Sequence, residues 1–332
     1  MKTIERWQMW TWIFLALVPL AGAQTHGFLW SPAAGMRDLG TLGGRVSAAQ
    51  GINSTGQVVG WSFLAGDTIF HSFLWTKAGG MQDLGTLGGS DSQAYGINDS
   101  GQVVGWSYLP GDSEARPFLW TKAGGMQDLG TLGGAHSLAS GINASGQVVG
   151  WSFLSDTIEH AFLWSKAGGM RDLGTVGISE AWAIKATGQV VGWSDTTNAG
   201  RDAALWKTTG GVIDLGTLGG TVSVAQAINA SGQLAGWSSL AGDTNEHAFL
   251  WTEAAGMRDL GTLGGTYSFG TGINTAGDVA GYSQTTNDLN THATLWRAGG
   301  SITDLGALGG GDYSVALGIN DSEQVVGYSD TP

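Results

Sequence analysis

The chain has 332 residues, with 58 glycines, 16 tryptophans, no cysteine and a formal net charge of −13. Its 14 Lys and Arg are scattered among 27 Asp and Glu. That argues against a nucleic-acid partner, because a phosphate backbone is held by clustered cations. With only 12% charged residues and 5 prolines the chain is neither disordered nor collagen-like, and without cysteine its stability must come from burial and topology.

The first element is unlike the rest. Lys2 and Arg6 give a basic start, Trp12 to Leu20 reads "WIFLALVPL", and Ala21, Gly22 and Ala23 supply small residues. This is the layout of a secretory signal peptide. The apolar run is shorter than the roughly 20 residues of a spanning helix. Residues 1–23 are therefore expected to be a signal peptide and 24–332 a secreted, extracellular chain with no stable membrane insertion after cleavage. A retained anchor is the alternative.

Everything after that segment repeats. Leu-Trp recurs with its tryptophan at 30, 75, 120, 164, 206, 251 and 296. Eight residues after each stands the aspartate of "DLG", at 38, 83, 128, 172, 214, 259 and 304. Within one copy, "SQAYGIN" (Ser92 to Asn98) and "QVVGWS" (Gln102 to Ser107) flank a turn whose glycine suits a left-handed backbone. "RPFLW" (Arg116 to Trp120) and "MQDLG" (Met126 to Gly130) follow across "TKAGG". Four short strands in about 45 residues are the dimensions of a propeller blade, and no stretch has the length and period of a helix.

The expected fold is all-β: a single domain over 24–332, forming a seven-bladed β-propeller of four-stranded blades. The chain opens with the third and fourth strands of a copy and ends with the first and second. Pairing these N- and C-terminal half-blades closes the ring and removes exposed edges. A β-solenoid is the competing architecture, less favoured because no distinct caps are visible. Phe28 and Trp30 should share one strand face with Leu29 opposite. The glycine of "VVGWS" should leave room for a neighbour's ring.

"HAFLW" (His160 to Trp164 and His247 to Trp251), "DLGTLGG" and "GINxxGQVVGxS", intact or altered, recur in fixed order through all seven copies. In these motifs the chain resembles the HAF-repeat family of extracellular proteins. The resemblance implies export and carries over no catalytic or ligand-binding residue. Arg116 and Asp202 depart from the histidine of the motif, and Thr294 from its phenylalanine.

Five histidines (26, 71, 160, 247 and 292) stand four residues before the repeated tryptophan. Copies spread around a ring need not converge on a metal ion, so local hydrogen bonding is expected and no metal or cofactor. Asp67, Asp112, Asp156, Asp243 and Asp288 recur eight residues before the same tryptophan. They lack the dense acidic ladder of a calcium loop and are expected to close their own loops. The repeated "GTLGG" leads into a strand with no lysine after it, so it reads as a bend between copies and not as a phosphate loop. No Gly-x-Ser-x-Gly elbow or His-Glu-x-x-His motif is present.

A specific site should use positions that differ between copies, since shared architecture explains those that repeat. The variable stretches follow "TLGG" and lie between "VVGWS" and "FLW", which places both on one rim. Candidate ligand-binding residues there are Arg45, Asp91, His136, Glu180, Tyr267 and Tyr313, with Thr221 as the residue from the remaining copy. Trp182 and Lys185 join them from the irregular fourth copy, "GTVGISEAWAIKATGQ" (Gly174 to Gln189). Aromatic and polar groups together suit a sugar. The leading expectation is a secreted, monomeric binding module for a glycan or another cell-surface component. The alternatives are an extracellular polysaccharide-cleaving enzyme with rim carboxylates and a structural surface or adhesion protein.

Overall fold

A computed structural model of the protein describes residues 24–155, 158–174, 177–195 and 200–331, so the signal-peptide expectation at 1–23 lies outside the described residues. Among these, the regular elements are 28 β-strands and two short 3-10 turns. In one copy Ser92–Ile97, Val103–Tyr108, Ala115–Thr121 and Gly125–Asp128 pair successively as an antiparallel sheet. The turn between the first two strands depends on Asn98, whose Oδ1 accepts from the Ser100 and Gln102 amides at 3.1 and 3.0 Å. Gly101 completes it at φ 72°, a conformation that only glycine adopts without cost.

The other copies repeat this order. Their first strands are Gly43–Ile52, Ser137–Ile142, Ser179–Ile184, Gly219–Ile228, Gly264–Ile273 and Ser314–Ile319. Each first strand packs against the first strand of the next copy, and Ser314–Ile319 packs against Gly43–Ile52. One sheet draws on both ends of the chain. Gln24–Ser31 pairs antiparallel with Val325–Thr331, from Gln24 opposite Thr331 to Trp30 opposite Val325. Ser314–Ile319 lies on one side of that pair and Gly35–Asp38 on the other.

The core lies between neighbouring sheets. Phe28 and Trp30 join one interface cluster with Leu295 and Val325, while Leu29 joins the opposite one with Val58 and Phe73, as strand alternation requires. Phe28, Phe73, Phe118, Phe162 and Phe249 are fully buried, each contributing about 1.5–3 kcal/mol of transfer free energy. One further cluster crosses several copies, with Trp61, Trp106, Trp151 and Tyr328 in it and Tyr95 and Tyr282 against it. Burial holds the hydroxyls of Tyr95, Tyr282 and Tyr328 protonated far above the ordinary tyrosine range.

Two further features recur through the copies. Every first strand bulges at the same place, leaving Gln50, Tyr95, Ser140, Trp182, Gln226, Thr271 and Leu317 outside the ladder. The bulge explains the repeated glycine of "VVGWS". A Cβ on Gly60 would stand 1.9 Å from the Ala48 carbonyl oxygen of the paired strand, and Gly105, Gly150 and Gly192 repeat the conflict. The glycine therefore admits its own sheet's backbone, not a neighbour's ring.

Buried serines also tie copy to copy. Ser92 Oγ accepts from the Ser72 amide at 2.8 Å and donates to the Gly85 carbonyl at 2.6 Å. Ser223 and Ser268 do the same for Ala203 and Ala248. Polar side chains in the interface thus satisfy amides that would otherwise be buried unpaired.

Candidate functional site

The "DLG" aspartate accepts the amide two residues on: Asp38 from Gly40, Asp83 from Gly85 and Asp259 from Gly261, each at 2.7 Å. That Asx turn needs glycine, with φ 76°, 74° and 71° at the three positions. The same carboxylates hold the repeated histidines, with Nδ1 to oxygen distances of 2.7 Å for His26–Asp38 and 2.9 Å for His71–Asp83 and His247–Asp259. Donating a hydrogen bond to the Asp83 carboxylate pushes the His71 imidazole up. Burial alone would raise Asp83, but the His71 and Gly85 hydrogen bonds outweigh it and hold the carboxyl below its ordinary value. Among the described residues no three His, Asp or Glu side chains gather to hold a metal ion.

The loop aspartates act differently from expectation. Asp67, Asp112, Asp243 and Asp288 sit at φ 52°, 56°, 52° and 54°. Each reaches across to the residue after "TLGG": Asp67 accepts from Arg45 N and Asp112 from Ser90 N at 2.7 and 2.8 Å. Asp243 accepts from Thr221 N and Asp288 from Thr266 N at 2.7 and 2.6 Å. They join two loops rather than closing their own, because the bend brings the two backbones together. Asp156 lies outside the described residues.

These contacts put both variable stretches on one rim, yet they also occupy most of the residues expected to bind there. Arg45 Nε pairs with Asp67 Oδ2 at 2.7 Å, and hydrogen bonds from the Arg45 backbone and side chain hold Asp67 below its ordinary value. Asp91 Oδ1 accepts the Phe70 amide at 2.9 Å, and His136 Nδ1 accepts the Ala115 amide at 3.3 Å. Glu180 is buried and accepts from Trp193 Nε1 at 3.0 Å. Tyr313 packs beside Tyr328 with ring centroids 6.1 Å apart, and Tyr267 N donates to Gln284 Oε1 at 3.2 Å.

Trp182 and Lys185 are not on this rim. Trp182 occupies a bulge inside the first strand of its copy. Lys185 lies in the turn at the far end of that strand, where its carbonyl accepts from Asn143 Nδ2 at 3.2 Å. The strand between Glu180 and Lys185 separates them, which spacing in a single irregular copy did not reveal.

That far end carries a cavity of roughly 260 Å³. Its wall is laid down in tiers by the ends of the first strands: Ile52, Ile97, Ile142, Ile273 and Ile319, then the asparagines that follow them. The asparagines form a belt. Asn53 Nδ2 donates to the Asn98 carbonyl at 3.2 Å, Asn98 to Asn143 at 3.0 Å, Asn229 to Asn274 at 2.9 Å, and Asn320 to Asn53 at 3.0 Å. The next residue in each turn varies and makes the wall asymmetric. Thr275, Asp321, Ser54 and Asp99 stand on successive copies, while Ala144 and Ala230 line the other side. Asp321 Oδ1 accepts from Thr275 N and Asp99 Oδ1 from Ser54 N, both at 2.9 Å. Each carboxylate keeps a second oxygen for a hydroxyl or cation.

The candidate residues named from the sequence did not include this ring. Its signal was present, because the residue after "GIN" reads Ser, Asp, Ala, Ala, Ala, Thr and Asp through the copies.

No protein-family model matches the sequence, and no curated protein matches it. Solved structures do match its fold. The putative TolB from Agrobacterium tumefaciens aligns at TM-score 0.55 and 12% identity, over 94% of this chain and 100% of that one. TolB from Acinetobacter baumannii gives 0.51 and 12%, over 96% and 68%. Puromycin hydrolase gives 0.54 and 14%, over 88% of this chain and 48% of its own. At such identities the likeness speaks to fold and not to activity. The chain is an all-β protein of repeated four-stranded sheets, similar in fold to these β-propellers.

Proposed function

We propose that the protein is an exported, seven-bladed β-propeller that binds a sugar unit without transforming it. Ring closure is supported by the pairing of Gln24–Ser31 with Val325–Thr331 and by the Asn320 to Asn53 hydrogen bond. Export rests on the basic, apolar and small-residue segments of 1–23 and on the resemblance to the HAF-repeat family. The observation that carries the binding reading is the asymmetric cavity at the asparagine end. One side carries Asp99, Asp321, Ser54 and Thr275 and the other Ala144 and Ala230, with isoleucines from both sides completing the wall. A sugar ring has the matching character, with hydroxyls on its edge and C–H groups on its faces. The cavity lies below the roughly 300–1,000 Å³ of drug-sized pockets, a size suited to one sugar unit of a chain. The rim is the weaker location, since Arg45 is paired with Asp67, Glu180 is buried against Trp193, and Asp91 and His136 hold backbone amides.

The test is to incubate residues 24–332 with a panel of neutral and charged glycans and to score both retention and new reducing ends. Retention without turnover is the expected result. Turnover would replace the binding reading with the enzyme reading, and no retention of any glycan would favour a structural surface protein.

A further inference from the structure

A second cavity, of roughly 290 Å³, opens between the sheet that ends at Asp172 and the sheet that follows it. Leu163, Val190 and the buried Trp206 form its apolar part, and Trp206 Nε1 is already bonded to the Leu173 carbonyl at 3.1 Å. Arg171, Lys207 and Thr208 stand at its exposed mouth. Two cations beside one cavity are unexpected in a chain of net charge −13.

The repeat supplies its own comparison. Arg37 occupies the position of Arg171 in another copy, and there the guanidinium lies over the Trp75 ring at 5.2 Å. Arg297 occupies the position of Lys207, and it is paired with Glu323 at 2.7 Å. Arg45 and Arg116 have Asp67 and Glu114. Among the described residues Arg171 and Lys207 have neither an acidic partner nor a ring; Arg258, Lys77, Lys122 and Lys166 share that, but only Arg171 and Lys207 border this cavity. At the Lys207 position the other copies carry Ser31, Thr76, Thr121, Ser165 and Thr252, so the architecture does not require a cation there.

We propose that Arg171 and Lys207 form an anion-recognition site for a carboxylated sugar of the hexuronate class. The guanidinium fork matches a carboxylate through two parallel hydrogen bonds, and the ammonium adds a point charge. The space beyond the two cations, partly apolar and edged by the Thr208 hydroxyl, is larger than an inorganic anion fills. It accommodates the ring that bears the carboxylate. This site is separate from the cavity at the asparagine end, so either can fail without the other.

The test titrates the 15N-labelled mature protein with glucuronate, glucose and inorganic sulfate, following the Trp206 indole N–H signal. Glucuronate should give a saturable shift that weakens at least tenfold in Arg171→Gln/Lys207→Gln and weakens with added salt, while Arg37→Gln behaves as wild type. Lys207→Thr installs the residue of other copies and should weaken binding in the same direction, even if the double variant melts early. The proposal is overturned if the double variant binds as wild type, if glucose binds as tightly as glucuronate, or if sulfate displaces glucuronate at equal concentration.

Discussion

The belt of asparagines is interrupted in two copies, at Asn274, whose Nδ2 bonds Asp278, and at Lys185, where a repair should stabilise the protein. Asn53 makes four side-chain bonds that matter here: Oδ1 accepts from Thr55 N and Gln57 N, and Nδ2 donates to Gln57 Oε1 and to the Asn98 carbonyl. In the fourth copy the equivalent residue is Lys185. Its backbone keeps the turn, with N to Gln189 O at 2.9 Å, but no side-chain amide is available to reach Asn229. Lys185→Asn would restore three turn bonds, using Thr187 and Gln189, and one bond to the next copy. At about 0.5–1.5 kcal/mol per bond, discounted for a half-exposed turn, the gain is about 2 kcal/mol. For a chain of this length that is a rise in Tm of about 3–5 °C. Differential scanning calorimetry reads it directly, with Asn229→Ala as the opposite control, expected to melt lower. An unchanged or lowered Tm in Lys185→Asn, with Asn229→Ala also silent, would refute the idea that the belt joins copies energetically.

Three other outcomes follow from the same structure. Deleting residues 324–332 removes the strand that pairs with Gln24–Ser31 and exposes an edge, so the truncated chain should self-associate in light scattering; a monomer with the full-length Tm would contradict closure. The His71–Asp83 pair should contribute most between about pH 4 and 6.5. The raised imidazole contributes below its unfolded value and loses this as pH rises through the folded one, and the depressed carboxyl contributes above its unfolded value and loses this in acid. The Tm difference between wild type and His71→Gln should accordingly be larger at pH 5.5 than at 8.5, and equal differences would refute the linkage. Glu323 stands at φ 55° where other copies have glycine, at about 1–2 kcal/mol, offset by an ion pair with Arg297 that is 32% and 35% exposed and is worth about 0–1 kcal/mol. Urea unfolding of Glu323→Gly should show no loss and up to about 1 kcal/mol of gain, and a loss above 1 kcal/mol would show the ion pair to be the stronger term.

The four strands of each copy were legible because turn chemistry and hydrophobic alternation agree. Asn98 and Gly101 mark the first hairpin, and Phe118 with Trp120 marks the buried face of the third strand. The bulge was not legible, since Gln50, Tyr95, Trp182 and Leu317 share a backbone role without sharing a side-chain type. For the same reason the glycine opposite it was assigned to packing when a carbonyl demands it. Asp67 was read as a local loop residue because its partner, Arg45, is 22 positions away. The candidate rim rests on the argument that variable positions carry specificity. Arg45, Asp91 and His136 there are bonded across loops, and the variable ring after "GIN" is hard to see because the motif before it is so regular.

The location of binding tests the account most directly. Whichever glycan the mature protein retains should be titrated by calorimetry into Asp99→Ala/Asp321→Ala and into Arg45→Ala/His136→Ala. The account predicts that the first variant loses at least tenfold in affinity while the second binds as wild type. The reverse pattern would contradict it and return the site to the opposite rim.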